Sequence, residues 1–136
     1  MSRSDYSDDG DFDWHAIMYR GAVASAFRGK RGQAFLQEML VALDAMPDKR
    51  LIDEDLERNG EVCAIGAVGR ARGIDMSEIH DSIGVAVEFC IAHAMAREIM
   101  FMNDDAVSYY RSETPEQRFT RMRTWIASKI SESWTR

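Results

Sequence analysis

Gln33-Ala-Phe-Leu-Gln-Glu-Met-Leu-Val-Ala-Leu-Asp-Ala-Met46 is the stretch whose reading decides the fold. Phe35, Leu36, Met39, Leu40, Leu43 and Met46 fall three or four residues apart, which places them on one stripe of an α-helix. Pro47 ends the stripe, because the residue before a proline is pushed out of helical geometry. An amphipathic helix of this clarity must bury its stripe against other elements, so the neighbours are read for partners.

Upstream, Trp14, Ile17, Met18, Ala22 and Val23 recur at helical spacing, with Asp13 as N-cap and Gly29 as stop. Gly21 within this segment either weakens the helix or admits a close neighbour. Residues 1–12 are acidic and poor in apolar side chains, and are expected to form a disordered lead-in.

Downstream, Leu51, Ile52 and Leu56 suit either a helical turn or a short strand, and Asn59-Gly60 is a turn signal. Residues 61–72 read as a buried helix of small residues (Ala64, Gly66, Ala67, Gly69) closed by Gly73, with a hairpin across Asn59-Gly60 as the alternative. After the linker Ile74-Asp-Met-Ser-Glu, residues 81–102 are apolar nearly all round. Val85, Val87, Phe89 and Ile91 alternate like a strand, but the length without a breaker favours one central helix. Thr114-Pro115-Glu116-Gln117 is a capping-box start, followed by the inner face Phe119, Met122, Trp125, Ile126 and Ile130.

The pattern predicts an all-α fold: a compact bundle of about five helices near 13–28, 33–46, 61–72, 81–102 and 114–131. A short β-hairpin near 51–63 stays open. One domain over residues 13–136 is expected, since 46% apolar residues in a 136-residue chain supply a core without staples. Two cysteines among apolar neighbours, no apolar leader and no membrane-length run lead to a soluble, cytoplasmic protein as the expectation.

Charge is segregated. Residues 1–13 carry −4, residues 14–37 hold four bases (Arg20, Arg28, Lys30, Arg31) and no acid, and residues 118–136 carry +4. The net charge of −6 argues against sequence-independent DNA binding, which needs many phosphate contacts. It leaves room for one local anion site.

That site would fall at the junction Arg28-Gly-Lys-Arg-Gly-Gln33. Arg28 complements the negative end of the first helix. Lys30 and Arg31 stand just before the second, where positive charge opposes the dipole unless an anion joins it. The reading is either a solvated turn or a site for a phosphate ligand or a partner's carboxylates, joined by Arg70 and Arg72. It is not a phosphate-binding P-loop, since no strand precedes it and no Ser or Thr follows the lysine.

Cys90 and His93, three apart, would share a helix face as half of a zinc site, with Cys63, His80 or His15 needed to complete it. A buried thiol and a core histidine account for them as well, and no metal or cofactor is expected. Asp53, Glu54, Asp55 and Glu57 read as a solvated face, and Asn103-Asp104-Asp105 as a helix end. The Met95, Met100 and Met102 cluster suits a core or an adaptable binding face. GxSxG, HExxH, GxGxxG and CxxC are all absent, so no enzyme is predicted.

Four blocks carry a resemblance. They are Arg20-Gly-Ala-Val-Ala-Ser-Ala-Phe-Arg-Gly-Lys-Arg-Gly-Gln-Ala-Phe-Leu36, Gly60-Glu-Val-Cys-Ala-Ile-Gly-Ala-Val-Gly-Arg-Ala-Arg-Gly-Ile-Asp75, Ala96-Arg-Glu-Ile-Met-Phe-Met-Asn-Asp104 and Glu113-Thr-Pro-Glu-Gln-Arg118. Over residues 19–130 the chain resembles small proteins encoded by tailed phages and prophages. The resemblance implies a setting, an accessory protein inside a bacterial host, and brings no activity, ligand or site residue. Small acidic proteins of that setting are often inhibitors of host defence systems. The expected function is therefore non-enzymatic binding to a host or phage protein, with inhibition of a host defence system and a homodimeric state as the expectations attached to it. The alternative is a nucleotide- or nucleic-acid-binding helical module using the turn 28–32. No membrane partner is expected.

Overall fold

The computed structural model describes residues 14–106 and 112–131, so the acidic segment 1–12 and the Asp13 cap lie outside the described residues. The elements are α1 (Trp14–Arg28), α2 (Lys30–Ala45), β1 (Glu57–Arg58), β2 (Glu61–Val62), α3 (Ala64–Arg72), α4 (Ser82–Phe89), α5 (His93–Asp104) and α6 (Pro115–Lys129). The chain forms the helical bundle with a short hairpin that its patterning implies. No helix of the described residues is long and apolar enough to cross a membrane.

The amphipathic stretch is α2, and it packs on α3, α6 and α1. Phe35, Leu36, Met39 and Leu43 are all buried. Its C-terminus ends before Pro47, and Lys49 Nζ donates to the carbonyls of Leu43 and Asp44 at 3.3 and 2.7 Å. A cation there complements the negative end of the helix. Its stripe meets Ile65 and Val68 of α3, Phe89 of α4, Met95 and Ile99 of α5, and Met122 and Ile126 of α6 in one core cluster.

The hairpin settles the open segment. Asn59 and Gly60 take positive φ values of 54° and 82°, the pair of left-handed residues that a tight two-residue turn needs. Glu57 then pairs with Val62 and Arg58 with Glu61. Residues 61 and 62 are thereby drawn into a strand, and the helix begins at Ala64, with the Cys63 thiol accepting from Gly66 N at 3.4 Å. Ala64 to Gly69 are all buried, as the small residues predicted.

The expected single helix 81–102 is two helices. Cys90 stands in the left-handed region at φ 57°, and Ile91 N turns back to Ala86 O at 3.1 Å. Ala92 caps α5 with extended backbone and no side-chain bond. No glycine or proline marks this break. A continuous helix of that length would run about 33 Å, the full width of a small domain, with its apolar surface facing outward at the ends. Folding α5 back onto α4 buries Val85, Phe89, Met95, Ile99 and Met100 together.

A polar node ties the irregular segment 46–56 to the helices. Asn103, 1% exposed, accepts from Ala64 N at 3.2 Å and donates to Ile52 O at 2.9 Å. Arg118, 8% exposed, donates to Leu51 O at 3.1 Å and to Asn103 O at 3.2 Å. Arg121 donates to Met102 O at 2.6 Å and chelates Glu113 at 2.6 and 3.0 Å. Two guanidinium groups thus cover the last carbonyls of α5, the end of a helix that attracts cations. Thr114 and Gln117 form the expected capping box of α6, at 3.1 and 2.9 Å. Among the described residues, no buried side-chain nitrogen or oxygen lacks a hydrogen-bond partner.

Gly29 is the single residue between α1 and α2, and the elbow there depends on Gly32. A Cβ at Gly32 would stand 1.9 Å from the backbone oxygen of Ala26, which cannot move without displacing α1. At Gly21 a Cβ meets nothing within 4 Å, so this glycine serves no close approach. Gly32→Ala is therefore expected to destabilise the fold by about 3 kcal/mol or more. Gly21→Ala is expected to stabilise it by about 0.5–1 kcal/mol, through helix propensity alone. Urea denaturation of the two variants, read by circular dichroism, checks both signs.

Candidate functional site

Three helix termini meet at one end of the bundle, and Gln33 holds them there. The side chain of Gln33 is 3% exposed. Its Nε2 donates to Phe27 O at 2.6 Å and to Lys129 O at 2.9 Å, while Oε1 accepts from Ser131 N at 2.8 Å. One amide from the first turns of α2 thereby binds the last turns of α1 and α6. Arg28 ends α1, Lys30 and Arg31 open α2, and Lys129 ends α6, so this end is a basic pole.

Lys30 and Arg31 lie inside the first turn of α2 rather than ahead of it, because the helix starts one residue after Gly29. Gly29 supplies no side-chain cap. The first turn carries two cations and no acid, against the preference of a helix N-terminus for negative charge. Among the described residues, Arg28, Lys30, Arg31 and Lys129 form no ion pair.

The contrast with the rest of the surface is plain. Arg72 chelates Glu38 at 2.7 and 2.6 Å, with its guanidinium over the rings of Phe35 and Phe89 at 6.0 and 5.5 Å. Arg70 pairs with Glu57 at 3.6 Å and donates to Gly60 O. Arg72 therefore ties α3 to α2 and Arg70 ties α3 to the hairpin, and the structure does not bring them to the pole as open cations. Arg50 spans Glu61 and Glu116, Arg58 pairs with Asp55, and Arg118 and Arg121 share Glu113. Arg123 chelates Asp44 at 2.6 and 3.0 Å, and that hydrogen bond holds the Asp44 carboxyl below its ordinary pKa.

Beside the pole, α1, α5 and α6 enclose a half-open groove of about 570 Å³. Tyr19, Val23, Phe27 and Trp125 give it apolar and aromatic walls, and Arg28, Lys129 and Arg20 lie on its lining with Glu98 opposite in charge. Phe27 and Trp125 stand edge to face, with centroids 5.7 Å apart and planes at 90°. Sequence reading found Arg28 but missed the groove, since Tyr19, Trp125 and Lys129 come from helices far apart in the chain.

Cys90 and His93 do not share a helix face, because the chain breaks between them. His93 Nε2 lies 2.8 Å from Ser82 Oγ, which joins the first turns of α4 and α5. Ser82 is 2% exposed, so this pair is a staple and not an accessible nucleophile. Cys63 is buried as the cap of α3, while His15 on α1 and His80 before α4 are exposed. Among the described residues no three His, Cys, Asp or Glu side chains gather as metal ligands. Met95 and Met100 are core residues, whereas Met102 is half-buried.

Comparison of the chain with protein-family models, curated proteins and solved structures returns no match in any of the three.

Two outcomes test this geometry. Gln33→Leu keeps the volume but leaves Lys129 O and Ser131 N without their partner, and is expected to cost about 1–3 kcal/mol. Hydrogen exchange at the Ser131 amide should accelerate in that variant. For the paired arginines, a depressed Asp44 pKa means stability that is present above the ordinary aspartate range and lost as pH falls through the lowered value. Carbon-13 NMR titration of Arg123→Ala should return the Asp44 carboxyl upward toward its ordinary value.

Proposed function

We propose that this is a non-enzymatic binding protein whose basic pole engages an acidic surface of a partner protein. The observation that carries the reading is the set of four cations, Arg28, Lys30, Arg31 and Lys129, that pair with no carboxylate among the described residues. Seven other arginines of the described residues (50, 58, 70, 72, 118, 121 and 123) each have one. Two of the four oppose a helix dipole, a placement that a partner's carboxylates relieve.

A protein suits this surface better than a nucleic acid. Trp14, Ile17 and Met18 are 70%, 48% and 58% exposed on α1, the helix that ends at Arg28. Exposed apolar side chains of that size mark contact surfaces for other proteins. The net charge of −6 works against a polyanion approaching from any other side. Ser82 and His93 bond to each other and the Cys63 thiol caps α3, while Cys90 is exposed, not the buried thiol expected, and contacts the Val87 carbonyl at 3.8 Å. The setting we attach to this reading is an accessory protein of a phage or prophage, acting in the bacterial cytoplasm against a host defence system. The likeness of the four sequence blocks is its support.

Affinity capture from bacterial lysate, followed by mass spectrometry, is expected to recover an acidic protein at low salt. Lys30→Ala/Arg31→Ala should weaken that capture about tenfold or more, with a shallower salt dependence. Arg58→Ala, on the hairpin in an exposed ion pair with Asp55, should leave it unchanged. Equal capture by the double variant at every salt concentration would overturn the assignment.

A further inference from the structure

The groove between α1, α5 and α6 has a chemistry that an acidic protein surface does not use up. We propose that it is a small-molecule site for a planar ring carrying a phosphate, of the size of a nucleoside monophosphate. This goes beyond the partner reading: it shares Arg28 and Lys129 with the pole but adds the aromatic groove, which Lys30 and Arg31 do not line.

Volume comes first. About 570 Å³ lies inside the range of small-molecule sites, roughly 300–1,000 Å³. The walls select a flat ring. Tyr19, Phe27 and Trp125 all line the space. In an edge-to-face pair, the ring that presents its edge keeps both faces free of its neighbour, and the other ring keeps one. Trp125 also borders a second, shallower hollow with Met102 and Thr124, so it is reached from two sides. Phe27 is 7% exposed and the Arg97 guanidinium lies 5.0 Å over the Tyr19 ring, so Trp125 is the ring left to stack a base, as aromatic platforms commonly do.

The field selects an anion. Arg28 and Lys129 contribute two positive charges to the lining, while the C-termini of α1 and α6 contribute about −0.5 each, leaving about +1. Arg20 and Glu98 offset each other in this sum. The carbonyls of Phe27 and Lys129 are already bound by Gln33 Nε2, so that amide covers the negative helix ends. A phosphate between the guanidinium and the ammonium receives charge-assisted hydrogen bonds from both. Gln33 also places the two cations on one rim, by holding their helices together.

The test is a titration of the full-length protein with the four common nucleoside monophosphates, their nucleosides and inorganic phosphate. Isothermal calorimetry gives affinity, and tryptophan fluorescence in a Trp14→Phe/Trp134→Phe background reports on Trp125. At least one monophosphate is expected to bind one to one and to change that fluorescence. Its nucleoside and inorganic phosphate should each bind about tenfold more weakly or worse. Arg28→Ala/Lys129→Ala should weaken the monophosphate about tenfold, and the circular dichroism of that variant verifies its fold. Lys30→Ala/Arg31→Ala should retain the monophosphate while losing the protein partner, so the two readings fail separately. Three results would overturn the site: no saturation by any monophosphate up to about 5 mM, phosphate binding as tightly as the nucleotide, or unchanged affinity in Arg28→Ala/Lys129→Ala.

Discussion

Asn103 is the side chain on which most of the tertiary structure depends. It sits at the end of α5, almost fully buried, and reaches the start of α3 and the irregular chain at Ile52 with one amide. Its own carbonyl, with that of Met102, is taken by Arg118 and Arg121 of α6. A buried amide or guanidinium without partners costs more than it contributes, so the node demands that all these elements be in place together. That requirement gives the loop 46–56, which has no helix of its own, a defined path. Leu51 N bonding to Pro115 O at 3.1 Å closes the same junction from the α6 side.

The opposite arrangement of charge holds at the basic pole. At the node, cations are spent on helix carbonyls and on Glu113, and little solvent reaches them. At the pole, Gln33 does the joining with a neutral amide, and the cations around it are left to solvent or to a ligand. A neutral group pins three helix ends without needing a counter-charge, and among the described residues Arg28, Lys30, Arg31 and Lys129 have no ion pair. The elbow at Gly29 and the Gly32–Ala26 approach bring α1 close enough for that amide to reach Phe27 O.

Local chemistry was legible wherever it was self-sufficient. The α2 stripe, the Pro47 stop, the Thr114 capping box and the Asn59-Gly60 turn all rest on interactions within a few residues. Features that rest on distant partners left weaker traces. Asn103 reads as part of a helix end in Asn103-Asp104-Asp105, and only its burial reveals it as a node. Cys90 carries no breaker signal, because its left-handed backbone is imposed by α5 packing back on α4. Of the candidate site residues, Arg28, Lys30 and Arg31 stand together as their adjacency implies. Arg70 and Arg72 are claimed by Glu57 and Glu38, acids that spacing alone does not point to.

The sequence by itself determined the helical class, a turn at Asn59-Gly60 and the presence of a basic junction between α1 and α2. Apolar period, caps and turn residues act over one or two helical turns, so they survive reading in one dimension. Tertiary structure alone decided which of the bases stay unpaired and where a groove opens. An ion pair needs an acid at contact distance, and a groove needs walls from three helices, here as far apart in the chain as Tyr19 and Lys129. Both are set by how α1, α5 and α6 converge around Gln33.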